Sequence, residues 1–354
     1  MIEYIKVEPA GGETSRGVES DPDGMNRLME ETLERGLSQI QGRPVRIREL
    51  RREACEHTTS FQGERLSLSL EGGEPVRVFF KDLNPEHQTQ KAQKVRKPDA
   101  TPSCRELEVY QSILSRLRLG TPQLYAVRWE PERGIYWLFL EDTGSSRLRE
   151  CRNFARWVAA AAWAARFHAA TLHLPDSAAR FLPRYDYEHY RQCVSGVQKL
   201  LPNLEARDRE IVSRGLECYE NRLDWFTALP CTVIHGQFFG KNVMLRKRNP
   251  EHRIAVIDWE TAAIGPGAFD LVSLSAGNWT KEQRLALWRA YFEQYQADAG
   301  CQLDWDTFCL DLGGVSLYHA LGWLAWWQGR GFSHNFGVWV KELDRVLREH
   351  FAAY

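Results

Sequence analysis

The chain lacks any apolar run approaching the roughly 18 residues of a membrane-spanning helix, and its N-terminus lacks the apolar core of a secretory signal. It also lacks a charge bias: 46 Lys+Arg stand against 47 Asp+Glu, a formal net charge of −1. That balance excludes the global basic footprint by which proteins gather on nucleic acid or anionic lipid, so neither is expected as a partner. The eight cysteines show no Cys-x-x-Cys spacing, which points to reduced thiols in a cytoplasmic protein. No internal repeat is visible, and oligomeric state has no signature here. Residues 1–23, with Gly11-Gly12, Ser15, Gly17 and Ser20, read as a mobile tail.

What remains is patterned. The length suits one two-lobed unit or two small domains, either able to bury a large core. Residues 25–40 read as a helix with Leu28, Met29, Leu33, Leu37 and Ile40 on one side. Strands are expected at 45–51, 65–70 (Leu66, Leu68, Leu70 alternating) and 75–81, then at 127–129 and 135–140. A helix opens after Pro102, with Leu107, Tyr110, Ile113, Leu114 and Leu117 as its stripe. Further helices are expected at 153–173 (Phe154, Trp157, Val158, Ala161, Ala165 and Leu172 inward), 187–200 and 205–229. Gly265-Pro266-Gly267 reads as a turn, and Thr280 with Gln283 as a capping box.

The chemistry is concentrated in Val233-Ile234-His235-Gly236-Gln237-Phe238-Phe239-Gly240-Lys241-Asn242, followed by Ile257-Asp258-Trp259-Glu260. A transferred phosphoryl group needs Mg²⁺ across its oxygens, and the metal needs hard oxygen ligands. Asn242 offers an amide oxygen and Asp258 a carboxylate. Residues 243–246 and 253–257 read as two short strands joined by a polar hairpin at 247–252, which folds Asn242 and Asp258 back toward one ion. His235 then anchors the loop by hydrogen bonds.

His235-Gly236-x, four residues, Asn242, Asp258-Trp259-Glu260, Gly265 and Asp270-Leu271 together resemble the aminoglycoside phosphotransferase and choline kinase family from about Val45 onward. The resemblance implies an α+β, two-lobed, protein-kinase-like fold. A nucleotide-binding lobe over 24–141 carries a small antiparallel sheet and a helix. A mainly helical catalytic and acceptor lobe covers 142–354. It also implies ATP, with GTP as an alternative, Mg²⁺ and a small-molecule acceptor. Catalytic candidates are Gln237, His235 and Asp258; metal candidates are Asn242 and Asp258. Lys81, at a strand end, would hold phosphates if Glu106, or failing that Glu108, fixes it. Thr58, Thr59 and Ser60 stand where a phosphate-covering loop would lie, though Glu56–Gly63 holds no Gly-x-Gly and reads equally as a polar hairpin loop. Glu141-Asp142-Thr143-Gly144 resembles the hinge, where Glu141 and Thr143 would meet the base. The basic run Lys91, Lys94, Arg96, Lys97 reads as a solvated surface before it reads as an anion site. His168 resembles the family's packed histidine, and Asp270 its loop brace. The acceptor side is sought near Glu260, Trp326 and Trp327. Trp323 and Trp327 share a helical face and read as core, leaving Trp326 as the better pocket residue.

The family pattern has Asp where this chain has Gln237, a neutral amide that takes up no proton. Three readings follow. One is a working kinase in which positioning and Mg²⁺ carry the rate, with an acceptor that needs no base. Another is a pseudokinase that binds nucleotide or a partner. The third is a nucleotidyl transferase on the same fold. The retained Asn242, Asp258 and Lys81 favour the first over loss of the site.

Overall fold

The computed structural model describes residues 22–55, 61, 63–88, 104–117, 119–246, 253–327 and 334–352. The chain divides into two compact units between Ser145 and Ser146. Thr58, Thr59, Ser60, most of the expected tail, the basic run at 91–97 and the hairpin tip at 247–252 lie outside the described residues.

The first unit opens with α1 (Pro22–Gln41), whose proline in the first turn suits a position with no intrahelical donor to lose. Pro22 and Asp23, expected in the tail, therefore belong to the helix. Met29, Leu33 and Leu37 are buried against one face of a five-stranded antiparallel sheet, together with Leu66, Leu68, Val78, Phe80, Trp137 and Phe139. Ile40, expected in the same stripe, lies in the last turn of the helix and is 38% exposed. The strands are β1 (Ile47–Ala54), β2 (Gly63–Leu70), β3 (Val76–Asp82), β4 (Leu124–Glu130) and β5 (Ile135–Glu141), in the order β1-β2-β3-β5-β4. Alternation puts Val78 and Phe80 on the α1 side and Lys81 on the other face. Before β4 the chain forms α2 (Arg105–Glu108), continued by a π-turn at Val109–Ile113.

The second unit begins with α3 (Phe154–Thr171), capped by Asn153 accepting from the Ala155 N–H. Its inward face differs from the sequence expectation. Phe154, Trp157, Val158 and Leu172 are half-buried, and the core is taken by Ala160, Ala161, Trp163, Ala164, Ala165, Phe167 and His168. The large rings decide the rotation: Trp163 stacks on Phe167 at 5.5 Å and on Phe238 at 5.9 Å. After α4 (Asp176–Ala179) and α5 (Tyr187–Gln198), the helix expected over 205–229 is two, α6 (Ala206–Glu220) and α7 (Leu223–Ala228). The break at Asn221–Arg222 turns Phe226 back onto Tyr190 and Tyr219, each 5.0 Å away. Packing overrides a continuous helical pattern here.

Four short strands follow. β6 (Cys231–Ile234) pairs antiparallel with β9 (Ala263–Pro266), and β7 (Val243–Leu245) with β8 (Ile254–Val256). Gly265 and Pro266, expected in a turn, lie in β9; a Cβ on Gly265 would stand 3.0 Å from Ile234 Cδ1. The chain ends with α8 (Ala268–Ser275), α9 (Lys281–Ala299), α10 (Trp305–Trp326) and α11 (His334–His350). Thr280 and Gln283 form the expected capping box at the start of α9. All eight cysteines are free thiols, and among the described residues no helix is long and apolar enough to cross a membrane.

Gly36 of α1 gives a direct test of the α1–sheet packing. A Cβ there would lie 2.1 Å from the Tyr125 carbonyl oxygen and 2.9 Å from Ala126 Cβ. Gly36→Ala gains about 1 kcal/mol of helix propensity and loses about 3 kcal/mol to overpacking. A lower urea midpoint, by about 2 kcal/mol net, is expected; an unchanged or raised midpoint contradicts this packing.

Candidate active site

In the first unit the Lys81 ammonium lies 2.6 Å from Glu106 Oε2, with both residues buried. Removing either partner would strand a buried charge, at a cost of about 3–5 kcal/mol. Glu108 instead accepts from the Cys104 thiol at 3.1 Å, and burial with that contact pushes the thiol up to about 11. At the end of β5, the Glu141 N–H donates to the Gln123 carbonyl and the Asp142 N–H to the Arg77 carbonyl. Gly144 N–H turns back onto Asp142 Oδ1 at 2.9 Å. Of the two residues expected to meet the base, Glu141 thus spends its N–H on the Gln123 carbonyl, and Thr143 takes no part in these bonds.

The loop after β6 is fixed by one carboxylate. Asp270, 1% exposed at the start of α8, accepts from the His235 N–H at 2.6 Å and the Gly236 N–H at 3.0 Å. His168 Nε2 lies 3.2 Å from the same carboxylate, and His168 Nδ1 2.8 Å from the Tyr291 hydroxyl. Gly236 sits at φ 79, where a Cβ would also strike the Thr261 carbonyl oxygen at 2.4 Å, so only glycine allows this turn. Thr261 Oγ1 closes it by donating to the His235 carbonyl.

His235 is fully buried and its tautomer is determined by its neighbours. Nε2 donates to the Ile257 carbonyl at 2.9 Å, so the proton sits there, and Nδ1 accepts from the Gln237 N–H at 3.1 Å. Burial, opposed by Asp270, lowers its pKa. His235 is therefore a neutral strut between the Gln237 loop and the strand leading to Asp258. The Gln237 carbonyl accepts from Phe239 N–H and from Asn242 Nδ2. With its NH₂ group committed to that bond, the Asn242 amide presents its oxygen elsewhere. The β7–β8 register continues through Ile257 N–H to the Asn242 carbonyl at 3.0 Å. Asn242 thus lies opposite Ile257, the residue before Asp258. Asp258 has φ 70, the one positive φ at a non-glycine among the described residues. That conformation costs about 1 kcal/mol and tends to persist where surrounding structure enforces it.

The phosphotransferase enzyme family model matches residues 77–308. The chain belongs to that family. Its fold is shared with solved members of the kinase group. A microcompartment-associated aminopropanol kinase is 12% identical, covering 86% of this chain and 93% of its own, at a TM-score of 0.58. An aminoglycoside phosphotransferase in a ternary complex with ADP and hygromycin B is 14% identical (90% and 98%, TM-score 0.55). A choline kinase from Streptococcus pneumoniae is 13% identical (92% and 100%, TM-score 0.52). At these identities the likeness is one of fold: α+β, protein-kinase-like, with an N-terminal antiparallel sheet and a mainly helical C-terminal part. No curated protein sequence matches.

This phosphotransferase carries an aromatic cluster that the sequence pattern did not assemble. Phe239 packs on Trp323 at 5.8 Å and on His319 at 6.1 Å. Trp323 stacks on Trp339 of α11 at 5.2 Å, with 6° between the ring planes, and meets Trp326 at 5.9 Å. Trp326 and Trp327 cross at 88°. All four tryptophans are half-buried. Trp323, expected in the helical core, instead faces the loop because Phe239 reaches it. Trp323 Nε1–H donates to His319 Nε2, which also lies 3.2 Å from Ser273 Oγ. Glu260 is half-buried on the turn after Asp258. Lys241, passed over in the sequence reading, holds its ammonium 5.9 Å from the Phe239 ring centroid.

Burial pushes His319 down to about 3. The unfolded chain then takes up the proton first, near pH 6.5. The resulting stabilisation is complete above that value and is lost as pH falls from about 6.5 toward 3. His319→Gln should flatten this loss, by at most about 1.4 kcal/mol per pH unit relative to wild type. Urea unfolding at several pH values between 4 and 7 measures it; parallel curves for the two proteins contradict a buried neutral His319.

Proposed function

We propose that this chain transfers the γ-phosphoryl group of ATP to a small-molecule hydroxyl, with Gln237 orienting the acceptor and taking no proton. The observation that carries the reading is the buried Lys81–Glu106 pair. Burying two charges is costly and is retained where a phosphate must be held. Lys81 would take the α- and β-phosphates, Thr58, Thr59 and Ser60 would cover them, and the Glu141–Thr143 segment would meet the base. ATP is favoured as donor, with GTP the alternative.

The donor set fits Mg²⁺. Among the described residues no group of three His, Cys, Asp or Glu forms a protein-only cage. One amide oxygen, Asn242, with one carboxylate, Asp258, suits an ion that keeps water and phosphate oxygens as its remaining ligands. When bound, Mg²⁺ neutralises charge on the phosphate oxygens. The chain's own residues do the rest. Asp270 and His235 hold the loop, Gln237 positions the acceptor, and Glu260, Trp326 and Trp327 border the acceptor side. Phosphoryl transfer through a loose transition state depends mainly on positioning and electrostatics. Losing a general base costs about 10²–10⁴-fold and does not abolish the reaction. The cytoplasm, where ATP and reduced thiols coexist, is the compartment this reading requires.

Gln237 is the observation favouring a second reading, a pseudokinase that binds nucleotide without transfer. A nucleotidyl transferase is the third. Mass spectrometry of small molecules incubated with the protein and ATP–Mg²⁺ separates them, since the products gain a phosphoryl group, nothing or an adenylyl group.

Nucleotide binding itself is tested by melting. ATP at about 100 times its Kd stabilises by about 2.7 kcal/mol, a rise of about 3–4 °C for a chain of this size. The rise should need Mg²⁺, shrink in EDTA and largely vanish in Lys81→Ala. No shift and no calorimetric heat at millimolar ATP would sink the reading.

A further inference from the structure

We infer that the acceptor is an aromatic hydroxyl that ionises without a protein base, seated against Phe239, Trp323 and Trp339 with its oxygen toward Lys241. This rests on the phosphotransferase reading above and names its substrate class.

The first support is the absence of a spare base on the loop. Gln237 has no basic state near neutral pH. His235 has its Nδ1 lone pair occupied by the Gln237 N–H and its Nε2 proton committed to Ile257. His319 has its Nε2 lone pair occupied by Trp323, and the Asp270 carboxylate holds two loop amides. An aliphatic alcohol keeps its proton at neutral pH, and none of these loop groups is free to remove it; the carboxylate on the following turn, Glu260, is tested below by Glu260→Gln. A phenol loses its own proton readily enough to react as phenolate.

The second support is the wall. Phe239 lies two residues after Gln237 and is tied to it by a 2.7 Å backbone hydrogen bond. Trp323 and Trp339 stand parallel beside it, and Trp323 is locked by its bond to His319. Fixed, half-buried rings favour a flat aromatic guest by offset or edge contacts.

The third support is charge. No carboxylate takes part in these ring contacts. Among the described residues the Lys241 ammonium has no carboxylate partner and rests over Phe239. A cationic acceptor would be repelled there, whereas a phenolate would be stabilised.

The step balances. The phenol proton leaves to solvent, and the phenolate oxygen forms the bond to Pγ. The bond from Pγ to the β,γ-bridging oxygen breaks, and ADP departs with that electron pair. The products are an aryl phosphate and ADP.

The test offers wild-type protein and ATP–Mg²⁺ a panel of acceptors: a nitrophenol, the less acidic cresol, 2-phenylethanol, cyclohexanol and dimethylaminoethanol. Phosphorus NMR reads the products. Both phenols should exceed the alcohols in kcat/KM by about 10² or more. The rate should rise with pH through each phenol's own pKa, moving between nitrophenol and cresol and staying in place in Glu260→Gln. The charged groups on the loop and on the turn after β8 are Lys241, Asp258 and Glu260, while burial keeps His319 neutral. Trp323→Leu should raise the phenol KM about tenfold while leaving the ATP KM unchanged, and Lys241→Met should lower kcat. Preference for an alcohol or the amine, or an inflection that moves with Glu260→Gln and not with the phenol, overturns this inference alone. Transfer to no acceptor in the panel or in a cell extract overturns the phosphotransferase reading with it.

Discussion

Asp270 accepts hydrogen bonds from the His235 and Gly236 N–H groups while His168, itself held by the Tyr291 hydroxyl, meets it from behind. A buried carboxylate so placed must be satisfied, and the peptide that satisfies it is the start of the loop after β6. From that anchor the rest follows by short steps. His235 is neutral and bridges Gln237 to Ile257. Gln237 steers the Asn242 amide by its carbonyl, and the β7–β8 ladder sets Asn242 beside the strand that delivers Asp258. The same anchor fixes Phe239, through the Gln237 carbonyl, against Trp323. The placement of Asn242 and Asp258, the proposed metal ligands, and that of the Phe239–Trp323 contact are therefore two consequences of one buried interaction.

A neutral Gln237, where the resemblance implies a carboxylate, leaves this frame intact. The backbone N–H and carbonyl of residue 237 make the frame's hydrogen bonds, and the side chain is not among them. A side chain with no basic state at this position therefore does not loosen the loop that carries it. That separation between scaffold and base is what makes a positioning phosphotransferase chemically coherent.

Much of the fold was legible because its signals are local. The period-two alternation of Leu66, Leu68 and Leu70 marks a strand buried on one face, and the Thr280/Gln283 box marks a helix start. His235, Asn242, Asp258 and Asp270 recur at the family's spacing. The misses are tertiary. The face that α3 buries is set by Trp163 stacking on Phe167 and Phe238, which no helical period encodes. The break at Asn221 exists so that Phe226 can reach Tyr190. The Phe239–Trp323–Trp339 cluster joins a loop to two helices far along the chain, so its tryptophans read as helical core. Lys241 carried no signal because its place over the Phe239 ring is set by the fold of the loop.

The central claim is that residue 237 orients the acceptor and does not abstract its proton. Turnover of wild type, Gln237→Ala and Gln237→Asp against one aliphatic alcohol and one phenol tests it most directly. The account predicts measurable wild-type transfer to the phenol with no ionisation from residue 237. It also predicts a moderate, roughly tenfold loss in the alanine variant from a missing hydrogen bond and a gain toward the alcohol in the aspartate variant. A wild type that transfers to neither acceptor while the aspartate variant turns over would contradict it, and would make the native protein a pseudokinase.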